Sequence, residues 1–199
     1  MVSIVKSIRD FFFWKRKGFA LPAPRAIKNG VLRRYLSDFD FAIETGTYRG
    51  ESTRILSQIN RQVITIEPDL KLYNRAKKSL SKDFNNVQVV QAKSEDVLQE
   101  IISECRGSLG LFLDSHYCGP DTFRGPSVSP IRTELEIIGK HAAQLSTVTI
   151  LVDDLRYFDK RFFKGNLYPP LHFLVQWCKE NKFDWRIEYD MFVAIKSRS

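Results

Sequence analysis

The sequence predicts an α/β fold: one three-layer sandwich whose mostly parallel sheet ends in an antiparallel β-hairpin. Three observations carry this. From Asp38 onward, short apolar β-type runs alternate with stretches of helical period. Repeated strand-then-helix units force neighbouring strands to run parallel, with helices on both faces. The last two β-type runs are too close in sequence for a crossover helix, so they must pair antiparallel.

Each element follows in order. Phe39 to Glu44 reads as the first buried strand, and Glu51 to Asn60 as a helix with Ile55, Leu56 and Ile59 on one face. Gln62 to Glu67 is the second strand. Asp69 to Ser81 is helical, with Tyr73, Ala76 and Leu80 at helical spacing. Val87 to Gln91 is the third strand. Ser94 is placed to cap the next helix, with Glu95 and Asp96 in its positive first turn. Leu109 to Asp114 is the fourth strand, followed by a loop from Tyr117 to Ser129 rich in Gly, Pro, Ser and Asp. Ser129-Pro130 opens another helix, serine as cap and proline in the first turn. Thr147 to Val152 is the fifth strand, and Pro169-Pro170 precedes the last helix. The closing runs lie near Trp185 to Glu188 and Met191 to Ile195.

The length of 199 residues suits one such domain, and 43% hydrophobic with 27% charged residues is ordinary globular composition. Residues 36–199 form the domain, and residues 1–35 a basic amphipathic helical extension and linker. The three cysteines, Cys105, Cys118 and Cys178, show no CxxC or zinc spacing and point to a reducing compartment. The apolar run at Phe11 is short and followed at once by Lys15-Arg16-Lys17, unlike a signal peptide, so a cytoplasmic location is expected. Nine basic residues and one acid within residues 1–35 account for the whole net charge of +8. A nucleic-acid enzyme carries its basic surface around its site, so nucleic acid is not expected as a partner.

Ligands of such sheets bind beyond the carboxyl ends of the strands. The first strand ends in Glu44-Thr-Gly46-Thr47-Tyr48-Arg-Gly50-Glu-Ser52, where glycine permits a sharp turn and close approach to a ligand. About twenty residues on, Glu67 ends the second strand, where an acid can accept hydrogen bonds from two ribose hydroxyls. Together these point to a nucleoside cofactor. The dehydrogenase pattern GxGxxG is absent, because Tyr48 stands where its second glycine would make room for a pyrophosphate.

Three segments, FAIETGTYRGEST, LFLDSHYCGPDTFRGPSVSPIRTELEII and VTILVDDLRYF, together with the lead-in LPAPRAIKNGVLRRYL, resemble class I SAM-dependent methyltransferases of Rossmann-like fold. The resemblance is nearest to metal-assisted O-methyltransferases of small molecules and sugars. It implies S-adenosyl-L-methionine as cofactor. Glu44 and Gly46, with Thr47, Tyr48, Gly50 and Ser52 of their loop, would lie against its methionine part, Glu67 would hold the ribose, and Ser94 and Glu95 would lie near the adenine. The loop departs from the common ExGxGxG pattern and matches the E-x-G-T-Y-x-G-x-S form of antibiotic-type O-methyltransferases.

Asp114, beside the cofactor, ends the fourth strand, and Asp153 and Asp154 end the fifth, so three carboxylates are expected on one rim. Like charges so placed need a neutralising partner, and Mg²⁺ is the expectation, as in the O-methyltransferases resembled. The alternative is that Asp114 orients substrate while Asp153 and Asp154 bridge to Arg156. His116 is the candidate base for the acceptor hydroxyl. Tyr117 and Arg124, in the loop that would close over the site, are the candidate contacts to a small polar acceptor. His141 and His172 read as helix-end residues.

Ile4, Val5, Ile8, Phe11 and Phe12 recur at helical spacing opposite Lys6, Arg9 and Asp10. Such a helix can lie on an anionic membrane surface, placing residues 1–20 in peripheral contact, or pack on the domain or pair in a homodimer. The rival readings are an NAD-type oxidoreductase on a related sheet and a non-catalytic, membrane-docked interaction protein with a vestigial cofactor site.

Overall fold

Parallel strands become neighbours only when the chain crosses over between them, and the crossover helices must bury an apolar face against the sheet. The computed structural model describes residues 4–114, 129–159, 161 and 168–197. Two helices, α1 (Ile4–Arg16) and α2 (Arg25–Tyr35), precede the alternation. Then come β1 (Phe41–Thr45), α3 (Glu51–Ile59), β2 (Gln62–Ile66), α4 (Leu70–Asp83), β3 (Val87–Val90), α5 (Ser94–Glu104) and β4 (Ser108–Leu113). The chain continues with α6 (Ile131–His141), β5 (Thr147–Val152), α7 (Leu171–Asn181), β6 (Asp184–Glu188) and β7 (Met191–Ser197). The sheet has seven strands in the order β3-β2-β1-β4-β5-β7-β6. The first five run parallel, and β7 is antiparallel to both β5 and β6. The predicted α/β sandwich with its terminal hairpin is therefore present.

Register determines where the ligand side lies. Thr45 pairs with both Ile66 and Leu113, and Leu113 with Val152, so four strands end together on one rim. The direction of winding reverses between β1 and β4, which opens a crevice beyond their carboxyl ends.

Side chains that alternate along each strand supply two cores. On one face Ile43, Leu111 and Ile150 meet Leu98, Ile102, Leu135, Leu174 and Trp177 of α5, α6 and α7. On the other, Ala42, Phe112 and Leu151 meet Val31, Leu32, Leu36 and Leu56. Helix α2 carries Ile27, Val31, Leu32 and Tyr35 at helical spacing, continued by Leu36 just past its end. Its only fully buried residues are the adjacent Val31 and Leu32, and it is rich in charge with a glycine inside. It exists because the second core needs its cover, since helices this short draw their stability from packing.

Two caps differ from expectation. The backbone of Lys93 is already extended (φ −77, ψ 141), so α5 begins at Ser94, which takes helical backbone and cannot cap. The Asp96 N–H instead donates to the Lys93 carbonyl at 3.1 Å, and Ser94 turns toward Glu95. At α6 the cap position falls on Pro130, one residue later than the expected Ser129, while Ser129 Oγ accepts from the Ile131 N–H at 3.4 Å.

If α2 belongs to the core, Leu32→Ala will cost about 2–4 kcal/mol in urea unfolding, as for an aliphatic side chain deleted from a packed interior. A loosely appended helix would give less than about 0.5 kcal/mol.

Candidate functional site

The site begins where β1 stops. Gly46 (φ 91) and Gly50 (φ 71) bracket the turn into α3, and both lie in the left-handed region that side chains avoid. A Cβ at Gly50 would also press on Leu80 of α4 at 3.2 Å. Tyr48, at the position of the missing glycine, keeps a left-handed backbone (φ 48) even so. That conformation costs on the order of 1 kcal/mol for a residue with a Cβ. It is held by the Tyr48 N–H, which donates to Glu67 Oε2 at 2.8 Å. The loop is further closed by the Gly46 and Thr47 N–H groups, which both donate to the Ile66 carbonyl. Thr47 is buried and shares a hydrogen bond of 2.6 Å with Thr65.

Glu44 is wholly buried behind this loop. Its Oε2 accepts from the hydroxyls of Thr53 and Thr65, while Oε1 has no hydrogen-bond partner among the described residues. Burial pushes its carboxyl up to about 7; Ser52, Thr53 and Thr65 pull the other way, and Asp114 adds to the rise. A buried carboxylate oxygen with no donor is costly, and it fits a ligand that brings an ammonium to the turn. Ser52, in the first turn of α3, also favours the charged form.

Glu67, directly after β2, is also buried. Besides Tyr48, it accepts from the Asp69 N–H through Oε1 at 3.0 Å. A carboxylate has about four acceptor sites, so two remain for a diol. Burial raises its pKa, against the pull of those two N–H groups. Asp69 is the N-cap of α4, accepting from Lys71 and Leu72. Ser94 is buried and Glu95 half-buried at the start of α5, beyond the end of β3.

Beyond β4 and β5 lie the three acids of the metal expectation. Asp114 follows β4, its N–H donating to the Thr45 carbonyl, and Asp153 follows β5, its N–H donating to the Leu113 carbonyl. The two carboxylates are near enough that Asp114 raises the pKa of Asp153. Asp114, Asp153 and Asp154 nevertheless do not converge on one point: among the described residues no group of three His, Cys, Asp or Glu is placed to hold a metal ion. The neutralising cation is Lys28 of α2. Its Nζ donates to both oxygens of Asp153, at 2.7 and 2.8 Å, and to Asp154 at 2.8 Å. These charges hold the ammonium protonated far above its ordinary range, against the opposing effect of burial. Arg156 joins Asp154 at 2.7 Å and pairs with the fully buried Asp190. An ammonium thus fills the position between Asp153 and Asp154.

A small pocket opens beside these acids, lined by Asp114, Ser129, Glu134, Asp153, Phe158 and Tyr168 among others. His116, Tyr117 and Arg124 lie outside the described residues, as does Cys118. Cys105 and Cys178 are buried core thiols, pushed up by burial to about 11 and about 12. His141 ends α6 and His172 begins α7, as expected. Sequence reasoning missed Lys28, Thr53 and Thr65. Thr53 has a local signal, nine residues after Glu44 in the turn of α3, but Lys28 has none.

No protein-family model matches the sequence, and no curated protein does. Solved structures do match in shape. A Clostridium thermocellum protein assigned as an rRNA methylase gives a TM-score of 0.59 at 13% identity, over 88% of this chain and 97% of that one. A Staphylococcus aureus protein assigned as a caffeoyl-CoA O-methyltransferase gives 0.55 at 13% identity, over 98% and 93%. A Streptococcus mutans protein assigned as a methyltransferase, in complex with SAH, gives 0.54 at 15% identity, over 88% and 98%. The chain thus has the Rossmann-like fold of class I SAM-dependent methyltransferases.

Two outcomes follow from the charges. Glu44 has a folded pKa of about 7, above its ordinary 4.5, so the folded state holds a proton that the unfolded chain releases. Its contribution to stability therefore falls as pH rises through that window. Glu44→Gln will flatten the decline by up to about 3 kcal/mol, read as the difference between variant and wild-type urea melts across pH. Lys28→Met leaves Asp153 without its cation, while Asp154 keeps Arg156, and will cost about 2–4 kcal/mol near neutral pH, less as pH falls and the acids protonate. A loss below about 0.5 kcal/mol in the same melts would deny Lys28 its neutralising role.

Proposed function

We propose that this protein is a SAM-dependent methyltransferase that methylates a hydroxyl of a sugar or another small polar acceptor. The observation that carries the reading is Glu44: a fully buried carboxylate with one oxygen lacking a donor among the described residues, behind a positive-φ turn on this fold. In this proposal Glu44 and the Gly46–Gly50 turn hold the amino-acid end of S-adenosyl-L-methionine, Glu67 the ribose, and Ser94 and Glu95 the adenine side. When bound, the cofactor supplies an electrophilic sulfonium methyl.

The acceptor side is the pocket beside Asp114. Carboxylates accept hydrogen bonds from hydroxyls, and Phe158 and Tyr168 line the same small pocket. Asp114 accepts the hydrogen bond of the reacting hydroxyl and orients it. His116, two residues further along the sequence, takes its proton. Lys28 offsets the acids at the rim, so this proposal has no metal step. Much of the acceleration would come from holding acceptor and methyl donor in register.

Calorimetric titration with SAM and with S-adenosylhomocysteine tests the cofactor. Micromolar affinity is expected, unchanged between EDTA and Mg²⁺, and Glu67→Ala should weaken it at least about tenfold, roughly one lost charged hydrogen bond. Binding of NAD with no binding of SAM would overturn the reading. With labelled SAM and a pool of polar metabolites, wild type should transfer label while Asp114→Ala retains SAM binding and transfers none. Equal transfer by that variant would remove Asp114 from the site.

A further inference from the structure

Helix α1 presents a surface that the body does not cover. Trp14 is its one buried aromatic: the indole N–H donates to the Ala20 carbonyl at 2.8 Å, and the ring meets Phe19 at 5.0 Å and Tyr189 at 5.7 Å. Tyr189 lies in the β6–β7 turn. That turn is at the carboxyl rim, because β7 begins beside the end of β5 and Asp190 accepts from the Arg156 N–H. Trp14 thus fixes α1 at the same end of the sheet as the candidate site.

The neighbouring aromatics stand in water. Phe12 is 59% and Phe13 60% exposed, and Ile8, Phe11, Phe19 and Leu21 are exposed beside them. Isolated exposed apolar residues need no explanation, but a cluster of large ones marks an interaction surface. Around it stand Lys6, Arg9, Lys15, Arg16 and Lys17, all exposed, against the single acid Asp10. An occupant must therefore offer both negative charge and an apolar interior. A second copy would bring the same cations face to face, which like-charge repulsion disfavours. No helix among the described residues is long and apolar enough to cross a membrane, so contact would be from one side.

We propose that α1 docks the protein on an anionic lipid surface, with Phe12 and Phe13 entering the headgroup boundary and the flanking lysines and arginines meeting the headgroups. The bilayer then lies beside the carboxyl rim. Docking does not depend on methyl transfer; joined to that reading, on which this clause rests, it makes the acceptor a polar group carried at the membrane surface.

The test is co-sedimentation of the full chain with vesicles of phosphatidylcholine alone or with about 30% phosphatidylglycerol. Binding to the anionic vesicles should be at least about tenfold stronger and should weaken with salt. The double variant Phe12→Ser, Phe13→Ser should lose at least about tenfold of it while keeping the wild-type melting temperature and SAM affinity. Absent vesicle binding, or binding equal in the double variant, overturns the proposal. So does a wild-type dimer in light scattering that the variant turns into a monomer, which would assign the patch to a second copy. RNA retention without vesicle binding overturns it as well. Failure to bind SAM would leave the vesicle result standing and strike only the methyltransferase reading.

Discussion

Carboxylates buried along the carboxyl rim are the constraint on which the rest of this structure depends. Glu44, Glu67, Asp153, Asp154 and Asp190 all lie out of solvent there. A buried charge is tolerated only when paired or hydrogen-bonded. Each compensation here draws a different part of the chain to the rim. Glu44 takes hydroxyls from α3 and β2, and Glu67 takes main-chain donors from the loop after β1 and the entry to α4. Asp153 and Asp154 draw in α2 through Lys28, and Asp190 draws the β6–β7 turn against Arg156. The acids that make the rim chemically interesting also tie its walls together.

One of these compensations is incomplete. Each other acid in that row has partners for its carboxylate, whereas one oxygen of Glu44 has none among the described residues. The strained Tyr48 backbone lies in the same loop, pinned by Glu67. Strain and an unmet acceptor in one turn are the kind of cost that a fold retains where a ligand will repay it. The comparison structures share this fold at low identity, and among them are proteins assigned to rRNA and to O-directed chemistry. Shape therefore shows the fold and leaves the chemistry to the residues of the site.

The N-terminal segment is where charge, packing and location meet. It carries the entire formal charge excess, yet Lys28 spends its charge inside the rim and the cations of α1 spend theirs in solvent. Helix α2 is core, since Val31 and Leu32 close the second face of the sheet. Helix α1 is held chiefly through Trp14, and its other aromatics face outward. The two helices share a basic composition and differ in what surrounds their side chains.

The sequence by itself determined the sheet, its terminal hairpin and the positions of Glu44, Gly46, Gly50, Glu67, Asp114, Asp153 and Asp154 at the ends of strands. These are local features: a two-residue or 3.6-residue period, a glycine at a turn, an acid where an apolar run stops. Strand ends were legible to within about two residues, which is where capping and fraying blur any boundary. Only the tertiary structure decided what answers the charges. Lys28 stands 125 residues from Asp153, and Arg156 meets Asp190 across 34 residues. The sequence shows three acids needing a cation and suggests a metal, because metal sites and ion pairs begin from the same residues. Which cation arrives depends on how α2 packs against the sheet, and that is settled by burial of Val31 and Leu32, not by any motif around Lys28.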